Sequence, residues 1–204
     1  RRPLSLTSKG APEVASTKLF LEDLDSHNCG KSKGILQSKR TAAERLVAHG
    51  HPSGLDGYQS ESPQRAYMLT AAIYSAIAAM GLHYAEPPAS FESRGQKIRR
   101  PSRIAEERLA TCLNITLLFA AAIEDTGLHP IILMFDGHAA AGVWLAKRTF
   151  SNAIETDHME VRKALVSREL IVLELTGVTH RPVLTFDSAQ SALNYGLAED
   201  QAKA

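Results

Sequence analysis

The stretch TCLNITLLFAAAIEDTGLHPIILMFDGHAAAGVWL, residues 111–145, decides the fold. Its first half, Thr111 to Thr126, carries apolar residues at 113, 115, 117, 118, 119 and 123 among alanines. That pattern predicts a mostly buried helix, because apolar positions fall on more than one face. Gly127 ends it. After His129-Pro130, the run Ile131-Ile132-Leu133-Met134-Phe135 reads as a buried strand. Asp136-Gly137 is a turn signal. His138–Leu145 then reads as a second strand, closing on Val143, Trp144 and Leu145. Strands joined by a tight turn pair antiparallel, so the stretch is a helix followed by a hairpin.

The same reading extends outward. Toward the C-terminus, Met159–Ser167 is a short helix, Leu170–Leu175 a third strand and Phe186–Leu197 a closing amphipathic helix. Toward the N-terminus, Gln64–Met80 places Tyr67, Leu69, Ile73, Ile77 and Met80 among alanines, and Gly81 caps it as a helix. Leu82–Ala85 reads as a short strand, and Glu86-Pro87-Pro88 breaks regular structure. A further helix starts near Ser102, with Glu106 and Glu107 near its beginning. Residues 16–26 and 39–48 read as short helices, residues 1–15 as loose chain, Ser26–Ser38 as a loop, and Gly50–Pro63 as a linker or long surface loop. The expected fold class is α+β, with helices packed on a small antiparallel sheet. Residues 1–53 form an N-terminal extension, partly helical or loose, and residues 54–204 the folded domain. No internal repeat appears.

Composition sets the remaining bounds. The 204 residues are 44% hydrophobic and 22% charged, enough to bury a core. The formal charge of +1 argues neither for nor against nucleic acid, so local clusters must carry any such claim. One cluster, Arg94, Lys97, Arg99, Arg100 and Arg103, has five bases in ten residues and could contact phosphates. It lacks interleaved aromatics for base stacking, and reads more readily as a solvated loop pairing with Glu106 and Glu107. The apolar stretch Ala66–Leu82 is about one membrane thickness long. It includes Thr70, Tyr74 and Ser75 and reads as a buried helix, so no membrane partner is expected. Two cysteines, Cys29 and Cys112, follow an N-terminus without an apolar signal region, which favours a reducing, cytoplasmic compartment. Cys29 reads as an incidental loop thiol. The chain starts without Met, as a piece of a larger protein would. No Cys-x-x-Cys or His-Glu-x-x-His spacing occurs among the histidines and cysteines, so no metal or other cofactor is expected.

A nucleophilic cysteine needs a thiol that ionises easily, an imidazole beside it, and a group that orients the imidazole. Cys112 stands at the start of a helix, where unpaired N–H groups and the helix dipole favour a thiolate. His138 opens the strand after the Asp-Gly turn, where the hairpin returns the chain toward the helix start. Glu174 interrupts the apolar run Leu170-Ile-Val-Leu-Glu-Leu175, and a carboxylate buried there requires a partner such as an imidazole N–H. The backbone N–H of Cys112 is the default oxyanion donor and the Gln96 amide a side-chain candidate. Trp144 is a candidate for lining the cleft near His138, beside a half-buried core role.

Several separated segments, in order, resemble bacterial transglutaminase-like domains, most closely the version embedded in large bacterial helicase-like proteins. They are Arg108-Leu-Ala-Thr-Cys-Leu-Asn114 with the Leu-Leu-Phe-Ala-Ala-Ala helix, Gly127-Leu-His-Pro-Ile-Ile-Leu133, and Asp136-Gly-His-Ala…Gly-Val-Trp-Leu145. Tyr84-Ala-Glu-Pro-Pro-Ala-Ser-Phe91, Gly95-Gln-Lys-Ile-Arg99 and Leu173-Glu-Leu-Thr-Gly-Val-Thr179 with the Phe186 helix also belong to the pattern, which covers roughly residues 54–197. The resemblance implies a papain-like core with Cys112 as nucleophile, His138 as base and Glu174 as orienting acid. It departs from the family's Gly-Thr-Cys-Leu-Asp at Ala110 and Asn114, and its acid is Glu rather than the commoner Asp. The implied chemistry is attack on an amide or peptide carbonyl, with hydrolysis (protease or amidase) favoured over transglutamination because no calcium loop is present. The implied partner is a peptide or protein substrate, with a nucleic-acid context through a parent helicase-like protein. The alternative is a binding or scaffolding module that keeps the fold without turnover.

Overall fold

Cys112–Glu124 forms the helix around which the other elements are arranged, and every residue from Cys112 to Ile123 is buried. A helix that is apolar on all sides must be enclosed by other elements. The computed structural model describes residues 13–16, 32–86, 98–135 and 137–198. The elements, in chain order, are β1 (Glu13–Ser16), α1 (Lys33–Ala48), α2 (Pro63–Ala78), β2 (His83–Tyr84), α3 (Pro101–Glu107) and β3 (Leu109–Ala110). There follow α4 (Cys112–Glu124), β4 (Pro130–Phe135), β5 (His138–Trp144), β6 (Ile154–Glu155), α5 (His158–Val166), β7 (Leu170–Leu173), a 3-10 turn (Leu175–Thr179) and α6 (Phe186–Ala198). The class is α+β.

Five strands make one sheet in the order β6-β1-β4-β5-β7, with every neighbouring pair antiparallel. The β4–β5 hairpin pairs Phe135 with His138 and Pro130 with Val143. Gly137 supplies the left-handed backbone of its turn, with φ 69°; Asp136 lies outside the described residues. Strand alternation sorts side chains between two faces. Ala141, Val143, Ile171 and Leu173 join Ile115, Leu118 and Phe119 of α4 and Leu69, Ile73 and Ile77 of α2. Ile131, Leu133, Ala140, Trp144, Leu170 and Val172 face Val161 and Ala164 of α5 and Leu193 of α6. A separate pair, β2 with β3, is parallel and matches Tyr84 to Ala110.

Several expectations change. The segment read as loose to residue 15 contributes β1, paired along its length with Ile131–Met134. The loop expected to reach Ser38 ends earlier, because α1 starts at Lys33 and buries Gly34, Ile35 and Ser38. Gly34 is required there: a Cβ would lie 2.4 Å from the Pro101 carbonyl oxygen of α3. Although α1 falls within the stretch set apart as an extension, its Ile35, Ala42 and Leu46 share one buried cluster with α2 and α4. The helix expected over 16–26 lies outside the described residues, apart from Ser16, which ends β1. The third strand stops at Leu173, two residues short of expectation, because Glu174 turns the chain into the 3-10 segment.

Residues 50–62, expected as a linker or surface loop, are irregular but tied down. Arg65 of α2, 8% exposed, holds Asp56 through Nε at 3.0 Å. Its Nη2 donates to the carbonyls of Pro52 and Gly54 at 3.1 and 2.5 Å. The Tyr58 hydroxyl donates to Trp144 O at 2.7 Å and accepts from His129 N at 3.0 Å, fastening the loop to the base of the hairpin. Among the described residues no helix is long and apolar enough to cross a membrane.

Candidate active site

Three elements converge on Cys112. Thr111 caps α4: its side chain accepts from Asn114 N at 3.3 Å, while Asn114 Oδ1 accepts from Thr111 N at 3.4 Å. This reciprocal pair fixes the helix start and makes Cys112 the first helical residue. Thr116, one turn on, donates to the Ala139 carbonyl at 3.2 Å and lays the start of α4 across the start of β5. His138, the first residue of β5, is thereby brought against the thiol, to which it is hydrogen-bonded.

The β5–β7 register pairs Ala141 with Leu173. Glu174 follows at once, where the chain leaves β7 for the 3-10 turn. Glu174 Oε2 accepts from His138 Nε2 at 2.8 Å. That bond puts the proton on Nε2 and leaves Nδ1 for the sulfur. The other carboxylate oxygen, Oε1, accepts from Thr176 N at 2.9 Å and Thr176 Oγ1 at 2.7 Å. Glu174 N donates to Ala189 O of α6 at 2.9 Å. The acid is therefore held by both ends of its residue, and its orientation is not free.

The electrostatics follow from these contacts. Burial pushes the Cys112 thiol up, but the His138 hydrogen bond and charge, and the backbone N–H groups of Ala139 and Leu113, outweigh it and bring the thiol below its ordinary value. Burial opposes charge on His138, yet bonds to Cys112 and Glu174 raise it to about 9. Burial likewise penalises the Glu174 carboxylate, and His138 and Thr176 more than compensate, so it stays ionised below the usual range. Cys112, His138 and Glu174 thus form one chain in which each group favours the charged form of its neighbour. The three titrations are mutually dependent and belong to the group rather than to single residues.

Tyr84 is the site residue that sequence reasoning missed. β2 runs parallel to β3, with His83 N to Arg108 O at 2.7 Å and Ala85 N to Ala110 O at 2.9 Å, which sets Tyr84 beside the residues leading into α4. Its hydroxyl donates to the Cys112 sulfur and accepts from the Cys112 backbone N–H. Burial, and then the neighbouring thiolate, raise the phenol to about 12. Tyr84 remains 42% exposed, while Cys112 is 5% exposed. The available signal was position: a tyrosine three residues past the glycine at position 81, on a short strand ahead of the helix bearing the cysteine.

The other candidates fall elsewhere. Gln96 and Cys29 lie outside the described residues. Trp144 is not brought to the site: it ends β5, six residues or about 20 Å of strand from His138, where it packs on Phe150 at 5.0 Å between ring centroids. In the basic run, Arg99 lies 3.6 Å and Arg103 2.5 Å from Glu107; Arg94 and Lys97 lie outside the described residues. No group of three His, Cys, Asp or Glu side chains is placed to hold a metal ion among the described residues. No family model matches the chain, and neither the curated proteins nor the solved structures include a match to it.

Proposed function

We propose that this chain is a thiol-dependent acyl hydrolase with a papain- or transglutaminase-like core, acting on amide or peptide bonds through Cys112, His138 and Glu174. The observation that carries the proposal is the unbroken chain from the Cys112 sulfur through His138 to Glu174, with two backbone N–H groups directed at the sulfur. A structural cysteine needs none of these partners, and a buried histidine–carboxylate pair is costly without a use for its charge.

In the first step the Cys112 thiolate attacks the carbonyl carbon. The S–C bond forms as the C=O π pair moves to oxygen, and the oxyanion lies near the Cys112 backbone N–H. When the tetrahedral intermediate collapses, the C–N bond breaks and His138 gives its Nδ1 proton to the leaving amine. Neutral His138 then takes a proton from water, hydroxide adds to the thioester, and the acid and thiolate are regenerated. Glu174 fixes the imidazole and stabilises its cationic form throughout. An amine in place of water would give transglutamination by the same path. We favour water, since the sequence carries no D-x-D-x-D-G calcium loop. A peptide or protein is the proposed substrate, and a reducing compartment the proposed setting.

The test is iodoacetamide labelling of the native protein across pH 5–9 with mass-spectrometric site assignment, repeated on His138→Ala. Fast labelling of Cys112 below pH 7, lost in the variant, is the expected result. Labelling no faster than a free thiol would sink the catalytic reading and leave a binding or scaffolding module, a reading favoured so far only by the near-complete burial of Cys112 beneath Tyr84.

A further inference from the structure

The geometry points to Tyr84 as the side-chain donor of the oxyanion hole, a catalytic residue that hands its hydrogen bond from the Cys112 sulfur to the substrate's carbonyl oxygen. This inference rests on Cys112 being the nucleophile. The β2–β3 ladder sets Tyr84 opposite Ala110, two residues before Cys112, and its hydroxyl interacts with the Cys112 sulfur and backbone. An atom bonded to the carbon that the sulfur attacks must lie within about 3 Å of that sulfur, and a useful oxyanion position lies about 3 Å from its donors. The carbonyl oxygen therefore enters where the phenol oxygen now sits, and the phenol must shift aside by a few ångström.

The backbone of Tyr84 is held while its side chain is partly open to solvent. The Tyr84 backbone is flanked by ladder bonds at His83 and Ala85, so the strand stays fixed. Tyr84 is 42% exposed, so its side chain is not locked within the core. The phenol titrates near 12, so it keeps its proton through the working range and remains a donor. It already donates to the group that carries negative charge before attack. As the S–C bond forms, that charge leaves sulfur for oxygen, and the donor follows it. A contact of this kind strengthens only as the tetrahedral state forms, which is the condition for accelerating the reaction rather than merely binding.

Two probes separate this role from the nucleophile itself. Iodoacetamide reacts by displacement at carbon and develops no oxyanion. Acylation by p-nitrophenyl acetate passes through one, then expels p-nitrophenolate and leaves an acetyl thioester on Cys112. Both rates are measured on the full chain and on Tyr84→Phe, at a pH where the thiol is fully ionised. The variant is expected to acylate about 10²–10³-fold more slowly while alkylating at nearly the wild-type rate, which also reports that the site is folded. Unchanged acylation would overturn the assignment and leave Cys112 standing. Faster acylation would overturn it in favour of a hydroxyl that merely plugs the site. A wild-type thiol as slow as a free cysteine toward both probes would remove the nucleophile, and Tyr84's role with it.

Discussion

Glu174 sets the pH range over which His138 can remain charged. Its carboxylate is one of two groups raising the imidazole to about 9. Glu174→Gln keeps the shape and removes the charge, so the imidazolium loses support and its pKa falls. The alkaline limb of acylation with p-nitrophenyl acetate is expected to move to lower pH, while the acid limb, set by thiol ionisation, moves up as the imidazolium weakens. A stability effect accompanies it. The folded carboxyl titrates below its ordinary value, so its contribution is complete above that value and lost as pH falls through the folded one. Thermal unfolding of Glu174→Gln should depend less on pH below 5 than that of the parent. Asn114 invites the opposite manipulation. Fully buried, it accepts from Thr111 N and Arg99 Nη1 through Oδ1, while its Nδ2 has no partner among the described residues. In Asn114→Asp a carboxylate replaces that idle donor, pairs with Arg99 and opposes the positive end of α4, for a gain of about 1 kcal/mol in urea unfolding. The same charge lies two residues from Cys112, so the alkylation profile should shift to higher pH. The sequence made the positions of Cys112, His138 and Glu174 legible: a cysteine at a helix start, a histidine after a turn, a carboxylate in an apolar run. It did not make Tyr84 legible, because a phenol's partner depends on the β2–β3 register, and two-residue strands carry no pattern to read.

At the scale of elements, β5 is the member every part of the site depends on. It presents His138, lends the Ala139 N–H to the thiol and lies between β4 and β7. Gly142 lets it pass between those neighbours: a Cβ there would lie 2.8 Å from Ile131 Cγ1 and 3.0 Å from the Ile171 carbonyl oxygen. Gly142→Ala forces the strands apart and is expected to cost about 1–3 kcal/mol, read as a lower urea midpoint at unchanged slope. α4 and the hairpin were readable because long apolar runs ended by glycine leave few alternatives. β1 was not, since Glu13-Val-Ala-Ser16 has no alternating pattern and owes its strand state to the exposed edges of β4 and β6. α1 was read short because its first turn, Lys33-Gly-Ile-Leu, resembles loop until Gly34 is seen against α3. In β7, composition suggested a strand through Leu175, and the Glu174 side chain instead caps the turn by accepting from Thr176 N.

Across the whole molecule, Arg65 and Tyr58 bind the loop before α2 to the far end of the sheet. Removing the Arg65 head group frees three acceptors and leaves Asp56 without its cation. Arg65→Met should destabilise the protein by roughly 3 kcal/mol, with protease cleavage appearing first within residues 50–62; an unchanged cleavage pattern would show the loop to be held by other contacts. The sheet itself joins chain segments of very different age. β1 is made early and inserts between β4 and β6, which are made more than a hundred residues later. At roughly 5–20 residues per second of synthesis, the first strand waits on the order of ten seconds for its neighbours. During that interval the nascent chain carries an unpaired strand that any other edge can capture, and until it is seated β4 and β6 have no bridge between them. Completion of the fold is thus timed by the ribosome rather than by local search, and a chain lacking its first sixteen residues would leave the hairpin's outer edge open to a second molecule.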